Sequence, residues 1–426
     1  MISSYILEEA LGRALRTGGD YAEIFAENTL NGSMQLVDGQ VEHAVRNRIC
    51  GVGVRVFKGL RCVYASASGL DPASLMAAAD RAAAALGTGS QQADIHLVDR
   101  VFPNIHPYRE IGSTVQDARR LAIVREAYSA ARDVSPEIRQ ATVRLLDVDR
   151  NILIATSEGL KATDRQVRTR LSVTAAASDG GETQTGMEGP GASMGYEFFG
   201  TVDPAEVARQ ASRQAITMLH AGYCPAGRMT VAIDNGFGGV IFHEACGHSL
   251  EAAAVSKGLS QFAGKLGTQI ASSKVTAIDD GTIPNAWGSV NFDDEGIPTQ
   301  RKVLIENGIL KNYMVDKLNG RRMGIEPNGS SRRQAYFYAP TSRMTNTFIA
   351  PGTDRDEDII RSMDYGLYAK AMGGGSVNPA TGEFNFAVRE GYLVRGGQIC
   401  EPVRGASLIG RGSDILMQID MVGSNL

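Results

Sequence analysis

Apolar and polar positions change period often enough along the first half of the chain to mark its elements. "MISSYILEEALGRALRTGG" reads as an amphipathic helix. "DYAEIFAENTLNGSMQLVDGQVEHAVRN" alternates at period two and predicts two or three antiparallel strands. "CGVGVRVFKGLRCVYASASG" then predicts a hairpin turning at Lys58-Gly59. "DPASLMAAADRAAAAL" is a strong helix, with Asp71 as cap, Pro72 at its first position and an alanine-rich body. The pattern breaks around Pro103 and Pro107, as a loop would. Helical spacing returns in "TVQDARRLAIVREAYSAARDV" through Leu121, Val124 and Tyr128. From residue 138 a meander of strands is predicted, with polar turns at Asp149-Arg150 and Glu158-Gly159. The helix "DPAEVARQASRQAITMLHAG" closes this half, and "YCPAG" reads as a linker.

The second half differs in texture. A strand, "MTVAIDN", runs through the turn "GFGG" into a helix carrying two histidines. Beyond it, "KVTAIDD", "GSVNFDDEG", "TQRKVLIENGILKNYMVD", "QAYFYAPTSRMTNTFIAPG" and "NFAVREGYLVRGGQICEPVRG" predict short strands between glycine or Asx turns. The expectation is an α+β protein: an N-terminal α/β domain over residues 1–222 and a mostly antiparallel β domain over 223–426 that carries the histidine helix. The cluster "MGGGSV" is too long for a hairpin turn, so it predicts a loop or a close approach of backbone to a ligand.

Composition narrows the function. With 43 basic and 47 acidic residues the formal net charge is −4, which gives no electrostatic footprint for nucleic acid. Glu8 and Glu9 interrupt what a signal peptide would need, and no apolar run is long enough to span a bilayer. Five scattered cysteines without a C-x-x-C pair argue against a disulfide framework and for a reducing compartment, the cytoplasm.

The candidate chemistry lies in "NGFGGVIFHEACGHSLEAAAV", residues 235 to 255. On a regular helix His243 and His248, five apart, would point about 140° apart, poor geometry for one ion. A widened π-type turn returns them to one face, so an irregular helix is expected between 243 and 248, with Gly247 permitting deformation or close packing. Glu244 suits a general base for metal-activated water, and Glu251 is a further carboxylate in reach as ligand or outer support. From these residues alone, a metal site and an ordinary buried helix with one hydrogen-bonded histidine both remain open.

Longer motifs change that balance. "GGVIFHEACGHSLEA", "GRRMGIEPNGSSRRQAYFYAPTSRMTNTFIAPG" and "GGGSVNPATGEFNFAVREGYLVRGGQICEPVRGASLIGRG" resemble the TldD/PmbA family, as do "DYAEIFAE" and "CGVGVRVFKG" near the start. The resemblance covers essentially the whole chain. It implies a zinc-dependent peptidase in which His243 and His248 bind Zn2+ and Glu244 is catalytic. The implied substrate is an unfolded or leader peptide, held in a chamber built with a TldE/PmbA-like partner subunit or a second copy. The segment around Gly373, Gly374 and Gly375 would lie at the cleft and offer backbone to a substrate strand. The resemblance also implies a third ligand, a cysteine in a glycine-rich tail after "VRGASLIG". No cysteine follows Cys400 here, so the sequence is expected to stop short of that tail, or Glu251, Cys246 or Cys400 to complete the site. The alternative is a non-catalytic or metal-free subunit that forms a channel.

Overall fold

Four strands of 17 to 19 residues set the frame of the N-terminal half in the computed structural model, which describes residues 2–378 and 380–426. In chain order the elements are α1 (Ser4–Leu15), β1 (Tyr21–Val37), β2 (Gln40–Lys58), β3 (Arg61–Ser68), α2 (Pro72–Leu86), β4 (Val98–Asp99) and α3 (Asp117–Arg132). Then come β5 (Ile138–Thr156), β6 (Leu160–Ser178), β7 (Thr183–Glu188), β8 (Gly191–Ala192) and α4 (Pro204–Leu219). Their eight strands form one sheet in the order β3-β2-β1-β5-β6-β4, with β7 and β8 also on β6. Only β4 joins in parallel.

Capping chemistry starts the helices where the sequence indicates. Asp71 accepts the Ser74 N–H at 2.9 Å ahead of Pro72, and Asp203 does the same for Ala205 ahead of Pro204. Leu75, Ala78, Ala79 and Ala82 of α2 then pack with α1 on Ala22, Ile24, Val52 and Val54 of the sheet. The predicted turn at Asp149-Arg150 does not form; β5 runs straight through it. Both residues are paired across the ladder with Leu30 and Thr29, and their charges are satisfied laterally. Asp149 accepts from Arg165 at 2.8 and 2.9 Å, and Arg150 donates to Glu27 and Asp294. A polar pair reads as a turn only while its partners are unknown.

From residue 222 the chain builds other sheets. Further strands are β9 (Gly222–Tyr223), β10 (Thr230–Ile233), β11 (Ala277–Asp280), β12 (Arg301–Glu306), β13 (Ile309–Leu310), β14 (Ser331–Arg332), β15 (Thr341–Ser342) and β16 (Thr347–Ile349). The last four are β17 (Tyr365–Val377), β18 (Glu383–Arg395), β19 (Gln398–Arg404) and β20 (Ser407–Arg411). One sheet runs β10-β17-β18-β19-β9 with β20 on β18, and another runs β13-β12-β11-β16. Apart from the parallel edges β10 and β9, pairing is antiparallel, so the chain has the expected α+β architecture. Asn307 and Gly308, both at positive φ, make the tight β12–β13 turn.

Two expectations fail in this half. "GSVNFDDEG" is not a strand but a series of turns: Asp293 accepts the backbone N–H groups of Glu295, Ile297 and Ser331, while Asp294 and Glu295 are drawn to Arg150 and Arg55 of the N-terminal sheet. The glycine cluster is not a loop either. Gly373, Gly374 and Gly375 lie within β17, and the ladder bulges between Met372 and Gly375. At Gly375 a Cβ would come 2.1 Å from the Asn385 carbonyl oxygen, so glycine there serves approach of the neighbouring strand. Pro379, in the same quoted segment, lies outside the described residues.

The two halves meet across buried charge. Tyr21 to Glu27 of β1 is buried on both faces, because α1 and α2 cover one and the 291–296 and 331–336 segments cover the other. Glu23, fully buried, accepts from Arg55 and Arg333 at 2.6 Å each, and Arg55 also bonds Glu295. Arg150 joins Glu27 to Asp294 alongside. Such a network costs desolvation to assemble and becomes strongly unfavourable when one partner is removed, so it holds one arrangement of the halves. Among the described residues no helix is long and apolar enough to cross a membrane.

Candidate metal centre

The histidine segment is built on β10. Past Ile233 the chain turns at Gly236, φ 65°, makes a 3-10 turn over Gly236–Gly239 and a short α-helical turn, α5 (Val240–Phe242). A π-helical turn follows over His243–Gly247, then a 3-10 turn over His248–Leu250. The defining bond joins the two histidines themselves: the His248 N–H donates to the His243 carbonyl. That five-residue bond puts the pair on one face, as the spacing predicts for an irregular helix. Ile241, Phe242, Ala245, Cys246 and Leu250 are buried in the core on the other side. Gly247 keeps ordinary helical angles, so it does not relax the backbone. It leaves room for Met344, whose sulfur would sit 2.5 Å from an added Cβ.

His243, Glu244 and His248 bring one ligand atom each to within 4.8 Å of one another. The imidazole centroids are 5.2 Å apart with planes at 85°, and Glu244 Oε2 lies 3.6 Å from His248 Nε2. Each ring is anchored by its other nitrogen. His243 Nδ1 is 2.7 Å from Thr347 Oγ1 on β16, and His248 Nδ1 is 3.0 Å from Glu251 Oε1. Glu251 is in turn held by Arg343 through its second oxygen at 3.0 Å. Burial, followed by the neighbouring His248, pushes the His243 pKa down and keeps its ring neutral, the form with a lone pair to donate. Two imidazole nitrogens beside a carboxylate, each ring backed by a bond on its far side, fit a divalent ion of the zinc type.

The other sequence candidates fall elsewhere. Glu251 stands behind His248 as an outer support and not in the metal-facing cluster. Cys246 is fully buried on the core side, its thiol pushed up by that burial, and Cys400 lies on β19 with its thiol on the Gln398 carbonyl. Neither joins the cluster among the described residues. β17 as a whole touches the π turn, and on it Gly374 is exposed with open space around it. Sequence reading missed Thr347 and Arg343, which lie 104 residues from His243 and 92 from Glu251. No local spacing could reveal them.

Fold and site together define a protein with a His/Glu/His cluster, a candidate metal centre, on a π turn set in an α+β frame. Models of the PmbA/TldA metallopeptidases match in three parts: domain 1 over residues 22–86, the central domain over 111–219 and the C-terminal domain over 226–426. The chain is 34% identical to the "Metalloprotease TldD homolog" of Haemophilus influenzae over 413 residues, which is 95% of this chain and 85% of that one. It is 31% identical to a metalloprotease of Methanothermobacter thermautotrophicus over 415 residues, 95% and 88% of the two chains. Among solved structures, TldE from Thermococcus kodakarensis superposes with a TM-score of 0.79 at 17% identity, covering 98% of this chain and 94% of that one. At that identity the likeness shows the fold alone. The chain belongs to the TldD/PmbA metallopeptidase family.

Proposed function

We propose that this protein is a zinc-dependent peptidase that hydrolyses unfolded or leader peptides in the cytoplasm. The observation that carries the reading is that both imidazoles are tied at Nδ1, to Thr347 and Glu251, which leaves two Nε2 atoms beside Glu244. His243 and His248 would hold the ion. Zinc bound there supplies Lewis acidity that polarises a peptide carbonyl and activates water. Glu244 accepts the proton of the attacking water and delivers it to the departing amine nitrogen. Thr347 and the Glu251–Arg343 pair keep both rings from turning.

Substrate backbone is bound in this reading by β17. Ala369 is its last residue paired with β10, and beyond it the edge away from β18 has no strand partner among the described residues. A peptide without structure of its own can add there as a strand, which favours unfolded substrates. The partner that completes the chamber is a second copy of this chain or a TldE/PmbA-like subunit; family membership and the TldE-like fold support this. The test is Glu244→Gln. Zinc content measured by plasma emission should be retained, while cleavage of an unfolded peptide falls by about 10²–10⁴-fold. Cleavage at the unmodified rate overturns the mechanism.

A further inference from the structure

The turn that carries the two histidines is not held along the chain alone. Where a π turn runs straight into a 3-10 turn, bonding changes from five-residue to three-residue steps, and carbonyls at the change lose regular along-chain donors. Here the His248 N–H closes the π turn on the His243 carbonyl, and the Glu251 N–H then closes on the His248 carbonyl. A side chain from further along the chain enters at this change. Gln261 Nε2 donates to the Ala245 carbonyl at 3.0 Å, inside the π turn, and to the Ser249 hydroxyl oxygen at 3.2 Å. Its neighbour Ser260 donates its own hydroxyl to the Ser249 carbonyl.

The surroundings fix that amide in place. Phe262, the next residue, is fully buried in the same core as Ala245, Cys246 and Leu250, and its carbonyl accepts from the Tyr313 hydroxyl at 2.6 Å. Gly382, φ 74° and directly ahead of β18, lies against the amide: a Cβ there would come 2.3 Å from Gln261 Oε1. Gly412, which opens the helix Gly412–Gln418, is bare against the π turn in the same way, with a Cβ 2.3 Å from the Ala245 carbonyl oxygen. Its N–H donates to the Gly382 carbonyl at 2.8 Å, so the two glycines are tied together. The amide has one orientation. Turned over, it would set Oε1 against the Ala245 carbonyl, acceptor against acceptor. As it stands, Oε1 is buried with no hydrogen-bond partner among the described residues, and both N–H groups are aimed at the histidine turn.

We infer that Gln261 is a positioning residue: it sets the π register that brings His243 and His248 onto one face. In a regular helix the Ala245 carbonyl would serve the Ser249 N–H, and the Gln261 amide competes for that acceptor. Without the amide, the five-residue bond competes with the four-residue bonds of an ordinary helix, in which the two rings lie about 140° apart. The consequence for zinc rests on the peptidase reading above, whereas the register itself needs no metal.

The test has two readouts, the first without zinc. Hydrogen exchange over residues 243–250, read by mass spectrometry in metal-free protein, should be about tenfold faster in Gln261→Met, which keeps the length of the side chain but has no N–H. Exchange in the remote helix α2 should stay as in wild type. Gln261→Glu has nearly the same shape with oxygens only, and it should match or exceed the change, so either variant alone decides the matter. The second readout is the metal. Zinc affinity, measured by competition with a chelator, should fall about tenfold, and the visible absorption bands of bound Co2+ should change shape. Unchanged exchange over 243–250 overturns the inference. So does faster exchange with a lowered Tm but unaltered cobalt bands, the result a merely structural role would give. If wild type binds neither ion, the peptidase reading falls, and the exchange result by itself upholds or overturns the role of Gln261.

Discussion

Replacing Glu251 by glutamine isolates the outer support of the candidate metal centre. Its two oxygens, in a side chain only 7% exposed, accept from His248 Nδ1 and Arg343 Nη1 at 3.0 Å each. Glutamine keeps the shape but presents one oxygen and one NH2 to two donors. One contact therefore becomes donor against donor. Either Arg343 is expelled, or His248 changes tautomer and places a hydrogen on the nitrogen that should face the ion. Loss of such outer partners costs about 10–100-fold in metal affinity, or about 1.4–2.7 kcal/mol. Competition with a fluorescent zinc chelator at fixed pH measures it. Removing the second donor should undo much of the damage: in Glu251→Gln/Arg343→Met the amide can turn its oxygen to His248 and its NH2 to the vacated space. The double variant should bind zinc more tightly than Glu251→Gln alone, a coupling that simple additivity forbids. An unchanged zinc affinity in Glu251→Gln, with the fold intact by circular dichroism, refutes the argument that this carboxylate sets the His248 ring.

The buried network between the halves yields a stability prediction. Glu23→Gln leaves Arg55 and Arg333 without their shared anion and should cost about 3–5 kcal/mol in urea unfolding. Burial pushes the Glu23 carboxyl up, but Arg55 and Arg333 together outweigh it and hold it at about 2, against 4.5 for a free side chain. A depressed carboxylate stabilises above its unfolded pKa, so the contribution, roughly 3 kcal/mol, is full above pH 4.5 and is lost as pH falls toward 2. Unfolding of wild type and Glu23→Gln should therefore converge in acid; a constant gap between pH 5 and 2.5 contradicts this. Gly375→Ala forces a Cβ against the Asn385 carbonyl and the Phe386 ring and should cost about 1–3 kcal/mol, read as a lowered Tm. An unchanged Tm shows that the strand pair is free to part.

Much of the centre was legible in one short segment. Histidines five apart on an otherwise apolar helix demand a π turn if they are to act together, and that turn forms because Ile241, Phe242, Ala245 and Cys246 bury the opposite face. Helix starts at Asp71 and Asp203 were equally readable, since a cap and the N–H it accepts lie within three residues. What the sequence alone determined, in the helix starts, most strands and the histidine pair, rests on interactions a few residues apart, where spacing and side-chain type suffice. Tertiary structure decided the rest. Asp149-Arg150 became strand and not turn because Arg165, Glu27 and Asp294 arrive from other strands and loops. Thr347 and Arg343 became supports of the candidate metal centre only when the sheets packed. Apart from Arg165 and Asp149, 16 positions apart on neighbouring strands, these contacts join residues 92 to 144 positions apart, and no local pattern can encode which distant group will satisfy a charge.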